Sequence, residues 1–153
     1  MHNFRRLTLK AAAALAAGLL LPLVAPVRAL AAGWNKDAFQ SKTAADALKS
    51  LGAAASADSK EIVIEAPQIA ENGAVVPIEI TSNVPGTKSI AVLIEKNPFP
   101  LAAKFDFAED ALPYVKVNVK VGESSFVRVV AEAGGRHYTA AREVKVTIGG
   151  CGG

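Results

Sequence analysis

The sequence contains very few of the residues that carry out catalysis or bind metals. Its 153 residues include one cysteine, Cys151, and two histidines, His2 near the N-terminus and His137 near the C-terminus. These residues supply neither the number nor the short spacing of the ligands in a zinc site. A glycine-rich phosphate loop, a nucleophile elbow and a His-Glu-x-x-His motif are also missing from the sequence. We therefore predict a protein that is not an enzyme and that binds neither a metal nor another cofactor.

A nucleophilic Cys–His pair is the one catalytic arrangement that these residues could form. It needs the side chains of Cys151 and His137 within about 3 Å of each other. The two residues are 14 positions apart along a segment that is predicted to be extended. The C-terminus would have to fold back completely to bring them together. We therefore interpret His137 as a histidine of the surface or of a sheet edge.

Residues 1–31 have the composition of an export signal rather than of a membrane anchor. Basic residues precede an alanine- and leucine-rich run at 11–27, and an Ala-x-Ala cleavage motif follows at 29–31. Two prolines and an arginine break the apolar run, which leaves it shorter than the ~20 residues of a membrane-spanning helix. We therefore predict a cleaved signal peptide that exports the protein, and no membrane anchor.

The pair Arg5-Arg6 resembles the twin-arginine export signal, in which two arginines precede a short apolar stretch and a lysine, here Lys10. Twin-arginine signals export proteins that have already folded, so a partner could cross the membrane together with the chain. The alternative is an ordinary secretory signal that contains two basic residues.

The charge balance of the mature chain argues against nucleic-acid binding. The full sequence has 17 Lys and Arg against 14 Asp and Glu, and the predicted signal holds four of these basic residues and no acidic one. The mature chain therefore has 13 basic and 14 acidic groups, a formal net charge of −1. No run of basic residues remains of the kind that binds phosphate backbones.

The single cysteine lies in the C-terminal sequence Gly149-Gly150-Cys151-Gly152-Gly153. An unpaired cysteine in an exported protein indicates intermolecular pairing or a reactive thiol. Glycine loses the most conformational freedom on folding, so four glycines around one thiol predict a flexible arm in solvent. Neighbouring side chains that would activate the thiol are missing. These features suit a carrier arm that delivers Cys151 to chemistry performed by another protein.

Alternation of apolar and polar residues predicts about seven short strands after residue 60. The clearest is the valine-rich segment 115–121, and the apolar run 90–94 predicts a strand buried on both faces. Pro77 predicts an edge strand or a bulge, and Gly134-Gly135 predicts a tight hairpin before the last strand. Strands at this spacing without intervening helices predict an all-β fold, an immunoglobulin-like antiparallel β-sandwich.

Residues 34–49 show a helical apolar pattern, with Trp34, Ala38, Ala45 and Leu48 on one stripe. This pattern predicts one helix that covers an edge or an end of the sandwich. The predicted organisation is a signal peptide at 1–31, a helix and small-residue linker at 32–59, the sandwich at 60–148 and the carrier arm at 149–153.

The predicted last strand ends with Ile148 as the final core residue. A fully extended chain advances ~3.5 Å per residue, so the tail would place Cys151 about 10 Å beyond Ile148. That distance is long enough to enter the active-site cleft of another protein and too short to reach across this domain.

The chain resembles the SoxY family, the sulfur-carrier subunits of the periplasmic Sox thiosulfate-oxidising system. The resemblance rests first on the glycine-flanked cysteine at 149–153. The sequence Asn-Pro-Phe-Pro-Leu-Ala at 97–102, the sandwich preceded by a helical segment and the twin-arginine-like signal support it. It covers essentially the whole mature chain.

The resemblance implies that Cys151 carries covalently bound sulfur intermediates derived from thiosulfate, sulfide or other reduced sulfur compounds. It implies a heterodimer with a second sandwich protein, SoxZ, which has no signal of its own and is co-exported. It also implies transient encounters with three enzymes. SoxAX, a haem complex, joins the substrate to the thiol; SoxB, a manganese-dependent hydrolase, releases sulfate; a sulfane dehydrogenase acts in some organisms. We also expect disulfide-linked homodimers through Cys151 in the absence of reductant.

Two other functions are compatible with parts of the sequence. A terminal Gly-Gly occurs in ubiquitin-like sulfur carriers, which ATP activates at the C-terminal carboxylate to form a thiocarboxylate. An exported protein meets no ATP, and about seven strands do not match a ubiquitin-like fold. The other alternative is a structural or adhesion sandwich with an incidental cysteine, and chemical modification of Cys151 distinguishes it from a carrier.

Overall fold

The computed structural model describes residues 34–147. These residues form two short helices and nine strands. The helices are α1 (Lys36–Gln40) and α2 (Ala44–Ser50). The strands are β1 (Ala57–Asp58), β2 (Ile62–Glu65), β3 (Ile69–Ala70), β4 (Val76–Ser82), β5 (Thr87–Ile94), β6 (Leu101–Asp106), β7 (Tyr114–Val119), β8 (Ser125–Ala133) and β9 (Arg136–Val146).

The strands form two sheets that enclose an apolar core. The larger sheet has the order β1-β9-β8-β5-β6, with β3 also paired to β9, and the smaller sheet has the order β2-β4-β7. The pairings of β1 and β3 with β9 are parallel, and the other pairings are antiparallel. The core between the sheets is aliphatic and includes Ile78, Ile80, Ile90, Val92, Ile94, Val127, Val129 and Val144. The predicted immunoglobulin-like β-sandwich is confirmed.

The sequence patterns of individual strands explain which faces they bury. In β7, Val115 and Val119 are buried while Lys116 and Asn118 between them are exposed, as alternation requires in a strand with one solvated face. The last six residues of β5 are all buried, because one face packs between the sheets and the other lies under the helices. Both predictions are confirmed.

Two glycines close the hairpin between β8 and β9. Gly134 has a φ of 56° and Gly135 a φ of 73°, the left-handed conformation that glycine adopts at little cost. Consecutive positive φ values match the twist of a two-residue hairpin turn. The predicted hairpin is therefore confirmed, with Ala133 paired to Arg136.

Pro77 lies in β4, which is the central strand of the smaller sheet and not an edge strand. The pairing of β2 with β4 reaches only as far as Glu79. Residues 76–78 of β4 pair with β7 alone. The missing N–H of Pro77 therefore costs no ladder hydrogen bond on the β2 side of the strand. The prediction of an edge strand was wrong for β4 as a whole. At Pro77 itself, however, one side of the strand is unpaired, as it is in an edge strand.

The helical segment differs from the prediction in two ways. It consists of two helices rather than one, because Thr43 starts α2 by accepting a hydrogen bond from the Asp46 N–H at 3.1 Å. The break rotates the second helix relative to the predicted stripe. Ala47 is therefore buried, whereas Ala45 is exposed and Trp34 is 68% exposed.

The helices cover the outer face of the larger sheet rather than an edge or an end of the sandwich. A second apolar cluster joins Ala38, Ala47 and Ala53 to Ala91, Leu93, Leu101 and Val130 of the sheet. The segment at 53–59, predicted as a linker, also packs: Ala53 is buried and β1 pairs with β9. Small side chains let the helices approach the sheet closely.

Strand directions place the connections at two opposite ends of the sandwich. In the strand registers, β9 ends where β8 and β4 begin and where β5 and β7 end. We call this the arm end, and its connections are 66–75, 95–100 and 120–124. The connections at the opposite end are 59–61, 83–86, 107–113 and 134–135. The sequence that follows Thr147 therefore leaves the sandwich at the arm end.

Candidate functional site

The predicted carrier residues Cys151, Gly149, Gly150, Gly152 and Gly153 lie outside the described residues, as do Ile148 and the predicted signal peptide at 1–31. The structure does describe residues 145–147, from which that C-terminal sequence continues. We call these three residues the arm root. The candidate site is therefore the arm root together with the surface of the arm end around it.

One side of the arm root is held by β3. The backbone N–H of Lys145 donates to the carbonyl oxygen of Gln68 at 3.0 Å, and the N–H of Thr147 donates to that of Ala70 at 3.2 Å. Ala70 is buried while Ile69 beside it is 59% exposed. The short parallel pairing thus fixes the chain as far as Thr147, the last described residue.

Ser124 holds the other side of the arm root. The N–H of Val146 donates to the Ser124 hydroxyl oxygen at 2.9 Å, and that hydroxyl lies 3.5 Å from the Val146 carbonyl oxygen. A single side chain thereby takes over the pairing that β8 would supply to Val146 if it began two residues earlier. β9 is therefore paired on both edges to its last residue.

Gly73 lies beneath the arm root at a point where no larger residue fits. A Cβ atom on Gly73 would lie 2.4 Å from the carbonyl oxygen of Val121 and 2.9 Å from a methyl carbon of Val146. The Gly73 carbonyl oxygen also accepts a hydrogen bond from the Val121 N–H at 2.7 Å. The connections 66–75 and 120–124 therefore meet directly under Val146.

Asn97 ties the third connection to this assembly. Its side-chain amide donates to the carbonyl oxygen of Lys120 at 2.7 Å, and its side-chain oxygen accepts from the Gly122 N–H at 3.0 Å. The Asn-Pro-Phe-Pro sequence noted above thus forms part of the arm end. Its Pro100 is buried, whereas Phe99 is 48% exposed with the Lys42 ammonium 3.6 Å from its ring centre.

Sequence reasoning identified none of Gly73, Ser124 and Asn97 as site residues. Asn72-Gly73 gave only a turn signal, Asn97 entered the family resemblance without a role in a site, and Ser124 gave no signal at all. Their roles depend on contacts between connections that are far apart in the sequence. Only the position of the last strand, which leads directly to the glycine-flanked cysteine, pointed to this end of the molecule.

The structure separates His137 from the arm root. His137 is half-buried at the start of β9, opposite Glu132 of β8, and Thr147 follows the end of that strand. Ten residues of strand at ~3.4 Å each put about 34 Å between them. Four residues from Thr147 to Cys151 span at most about 14 Å. A Cys–His pair within one chain is therefore out of reach.

An ionic cluster lies on the outer face of the smaller sheet, towards the end opposite the arm end. The Glu79 carboxylate accepts hydrogen bonds from the Lys116 ammonium at 2.5 Å and from the Tyr114 hydroxyl at 2.6 Å. The hydrogen bond from Lys116, and to a smaller extent the one from Tyr114, holds the pKa of Glu79 below its ordinary value. The same carboxylate raises the pKa of Lys116 and that of Tyr114. The cluster lies away from the arm root and is not part of the candidate site.

Two wider searches concern only the part of the chain that the structure describes. Within 34–147, no group of three or more His, Cys, Asp and Glu side chains is placed to hold a metal ion. Within the same residues, no helix is long and apolar enough to cross a membrane.

Comparisons with known proteins identify the family to which the chain is related. Residues 47–151 match the family model described as sulfur oxidation protein SoxY. The chain is also similar to the solved structure of the sulfur carrier protein SoxY from Chlorobium limicola f thiosulfatophilum. The identity is 36% and the TM-score 0.60, over 67% of this chain and 96% of that chain. A comparison with curated protein sequences finds no match. The resemblance identified from the sequence is confirmed, and the matched range ends at Cys151.

Proposed function

Because the chain belongs to the SoxY family of sulfur oxidation proteins, with a sulfur-carrier role in the Sox system, we propose that Cys151 is its point of sulfur attachment. The observation that carries this proposal is the short distance along the chain between the end of the last strand and the cysteine. The strand β9 is hydrogen-bonded on both edges up to Val146, Thr147 follows it, and the chain's only cysteine lies four residues after Thr147 between glycines.

The proposed chemistry at Cys151 begins with an oxidation. The thiol and thiosulfate join through a new S–S bond and give an S-thiosulfonate, one proton and two electrons. The haem c complex SoxAX takes up the electrons. Hydrolysis by SoxB then breaks the terminal S–S bond, so that water supplies the oxygen of the released sulfate and a persulfide stays on Cys151. Each of these bonds is made or broken in a partner's active site.

The glycines at 149–153 suit this division of labour. An arm that enters the active sites of several enzymes must fit channels of different shape, and glycine adds no side chain to exclude any of them. Thr147 is held by Ala70 and by the end of β9, so each enzyme meets the arm at the same point of the sandwich. In this proposal the sandwich presents the arm to the partner enzymes, and those enzymes supply catalysis.

Further parts of the proposal concern location and partners. We propose that residues 1–31 direct the chain to the periplasm by the twin-arginine route and that SoxZ crosses the membrane with it as a heterodimer. A sulfane dehydrogenase would oxidise the persulfide where the organism has one. These statements come from the export signal and from membership of the SoxY family.

The test is the intact mass of the mature protein after incubation with thiosulfate and a periplasmic extract that oxidises it. We expect mass additions of thiosulfonate or sulfane sulfur that reductant removes, and we expect none on Cys151→Ser. An unmodified protein, while the extract oxidises thiosulfate, would contradict the carrier proposal. Equal additions to Cys151→Ser would contradict the assignment of the site.

A further inference from the structure

We propose that the arm end of the sandwich is the docking surface for the enzymes that act on Cys151, with Ile69, Val75 and Phe99 as its apolar contacts. This inference rests on the proposed carrier function. It assigns to the described residues a recognition role that is separate from the chemistry of the thiol.

The length of the C-terminal sequence decides which surface the enzyme meets. Four residues of fully extended chain carry the Cα of Cys151 at most about 14 Å from that of Thr147. An enzyme that receives the thiol in a cleft several ångströms deep must therefore bring its rim close to Thr147. The connections 66–75, 95–100 and 120–124 surround Thr147 and are the first part of the sandwich that such a rim contacts.

The arm end exposes large apolar side chains, as the centre of a protein interface does. Ile69 is 59% exposed, Val75 is 55% exposed and Phe99 is 48% exposed. Ile69 and Val75 lie in the connection 66–75 and Phe99 lies in the connection 95–100. None of the three belongs to the core between the sheets. The same connections and the arm root also carry exposed charged residues: Glu71, Lys96, Lys120, Glu123 and Lys145.

Hydrogen bonds hold these side chains in place before any partner arrives. Ile69 belongs to β3, which pairs with Lys145, and Val75 follows Gly73, whose carbonyl oxygen accepts from Val121. Phe99 lies in the loop that Asn97 fastens to Lys120 and Gly122. A surface that is ordered in advance loses little entropy on binding, which lowers the free-energy cost of docking.

The opposite end of the sandwich offers a matched control. Leu112 is 84% exposed and lies in the connection 107–113. An apolar-to-polar change at Leu112 alters the surface by a similar amount. It does so at the end of the sandwich that an enzyme bound to Cys151 does not contact.

The experiment compares Ile69→Ser/Val75→Ser with Leu112→Ser, both in the full mature chain. The readout is the initial rate at which thiosulfate and a limiting amount of periplasmic extract add sulfur mass to Cys151. Truncation of apolar side chains at the centre of an interface weakens docking, so we expect about a tenfold slower rate for the double variant. We expect no change for Leu112→Ser.

Three controls separate the possible outcomes. Alkylation of Cys151 by iodoacetamide should proceed equally fast in all three proteins, because a small reagent needs no docking surface. Thermal melting verifies folding, and Phe99→Ser tests the same surface from a different loop if the double variant is unstable. Equal rates of sulfur addition in all variants would overturn the docking proposal while leaving the carrier function intact.

A second result would also overturn it. If the double variant loses its stable partner subunit in size-exclusion chromatography, the arm end is the heterodimer interface and not a docking surface for enzymes. No sulfur addition to the wild-type protein would instead refute the carrier function itself.

Discussion

At the scale of single residues, the arm root depends on small side chains in exact places. Gly73 leaves room for Val146, and the Ser124 hydroxyl pairs with the Val146 backbone. Neither residue has chemistry of its own. Their effect is to support β9 up to its last residue, Val146.

Gly73→Ala should loosen this attachment. The new Cβ would lie 2.4 Å from backbone oxygen, which cannot move as a flexible side-chain tip can. Overpacking of this kind costs about 1–3 kcal/mol, measured as the free energy of unfolding in urea. Gly122→Ala is the matched control, because its Cβ would meet only the Asn97 side-chain oxygen at 3.5 Å. Equal stability of the two variants would contradict the close packing beneath Val146.

The cluster of Glu79 with Lys116 and Tyr114 predicts an acid-dependent loss of stability. The pKa of Glu79 is lower in the folded protein than in the unfolded chain, so the stabilisation is present above the unfolded pKa and disappears as the pH falls through the folded pKa. Wild-type protein should therefore lose more unfolding free energy than Glu79→Gln between neutral pH and about pH 3. Identical pH profiles would show that the cluster contributes nothing.

At the scale of elements, the long strands could be predicted and the short ones could not. Alternation in β7 and the doubly buried run in β5 are properties of single segments, which a sequence displays directly. The two-residue strands β1 and β3 exist only because β9 offers them an edge, and no local pattern of two residues predicts that. The register of those pairings, and hence the support of Thr147, follows from tertiary structure.

The helical segment shows the same limit. Its apolar period was visible, but the capping role of Thr43 was not recognised, and one helix was predicted where there are two. The error moved the predicted buried face from Ala47 to Ala45.

A pair of substitutions distinguishes the predicted helix from the observed one. Ala47→Asp places a charge in the contact between α2 and the larger sheet, where Ala47 is fully buried. An unpaired buried charge should reduce the unfolding free energy by about 3 kcal/mol or more. Ala45→Asp lies on the exposed face in the first turn and should change it by less than about 0.5 kcal/mol. The reverse order in urea denaturation would favour the single-helix prediction.

At the scale of the whole molecule, the two ends of the sandwich present different features. The far end carries the β8–β9 hairpin and the exposed Leu112, while the arm end gathers three tied connections around Thr147. The sequence alone predicted the fold class, and it drew attention to the C-terminal end through the position of the only cysteine. It could not identify the surface around the arm root, because the three connections that build it are separated by tens of residues.

Whole-molecule behaviour without reductant gives a further prediction. The glycine-flanked Cys151 should form a disulfide with a second copy, since no other cysteine is available in the chain. Mature wild-type protein treated with a mild oxidant should run as a dimer on a non-reducing gel, and Cys151→Ser should run as a monomer. Wild-type protein that stays monomeric under oxidant would contradict an accessible thiol.

The central claim is that Cys151 carries sulfur while the organism oxidises a reduced sulfur compound. Trypsin cleavage after Lys145 releases the segment 146–153, which contains the only cysteine of the chain. The decisive measurement is tandem mass spectrometry of this segment in protein taken from cells that are oxidising thiosulfate. The account predicts reductant-labile thiosulfonate or persulfide on Cys151 that disappears when thiosulfate is withdrawn. A free thiol throughout active oxidation would contradict it.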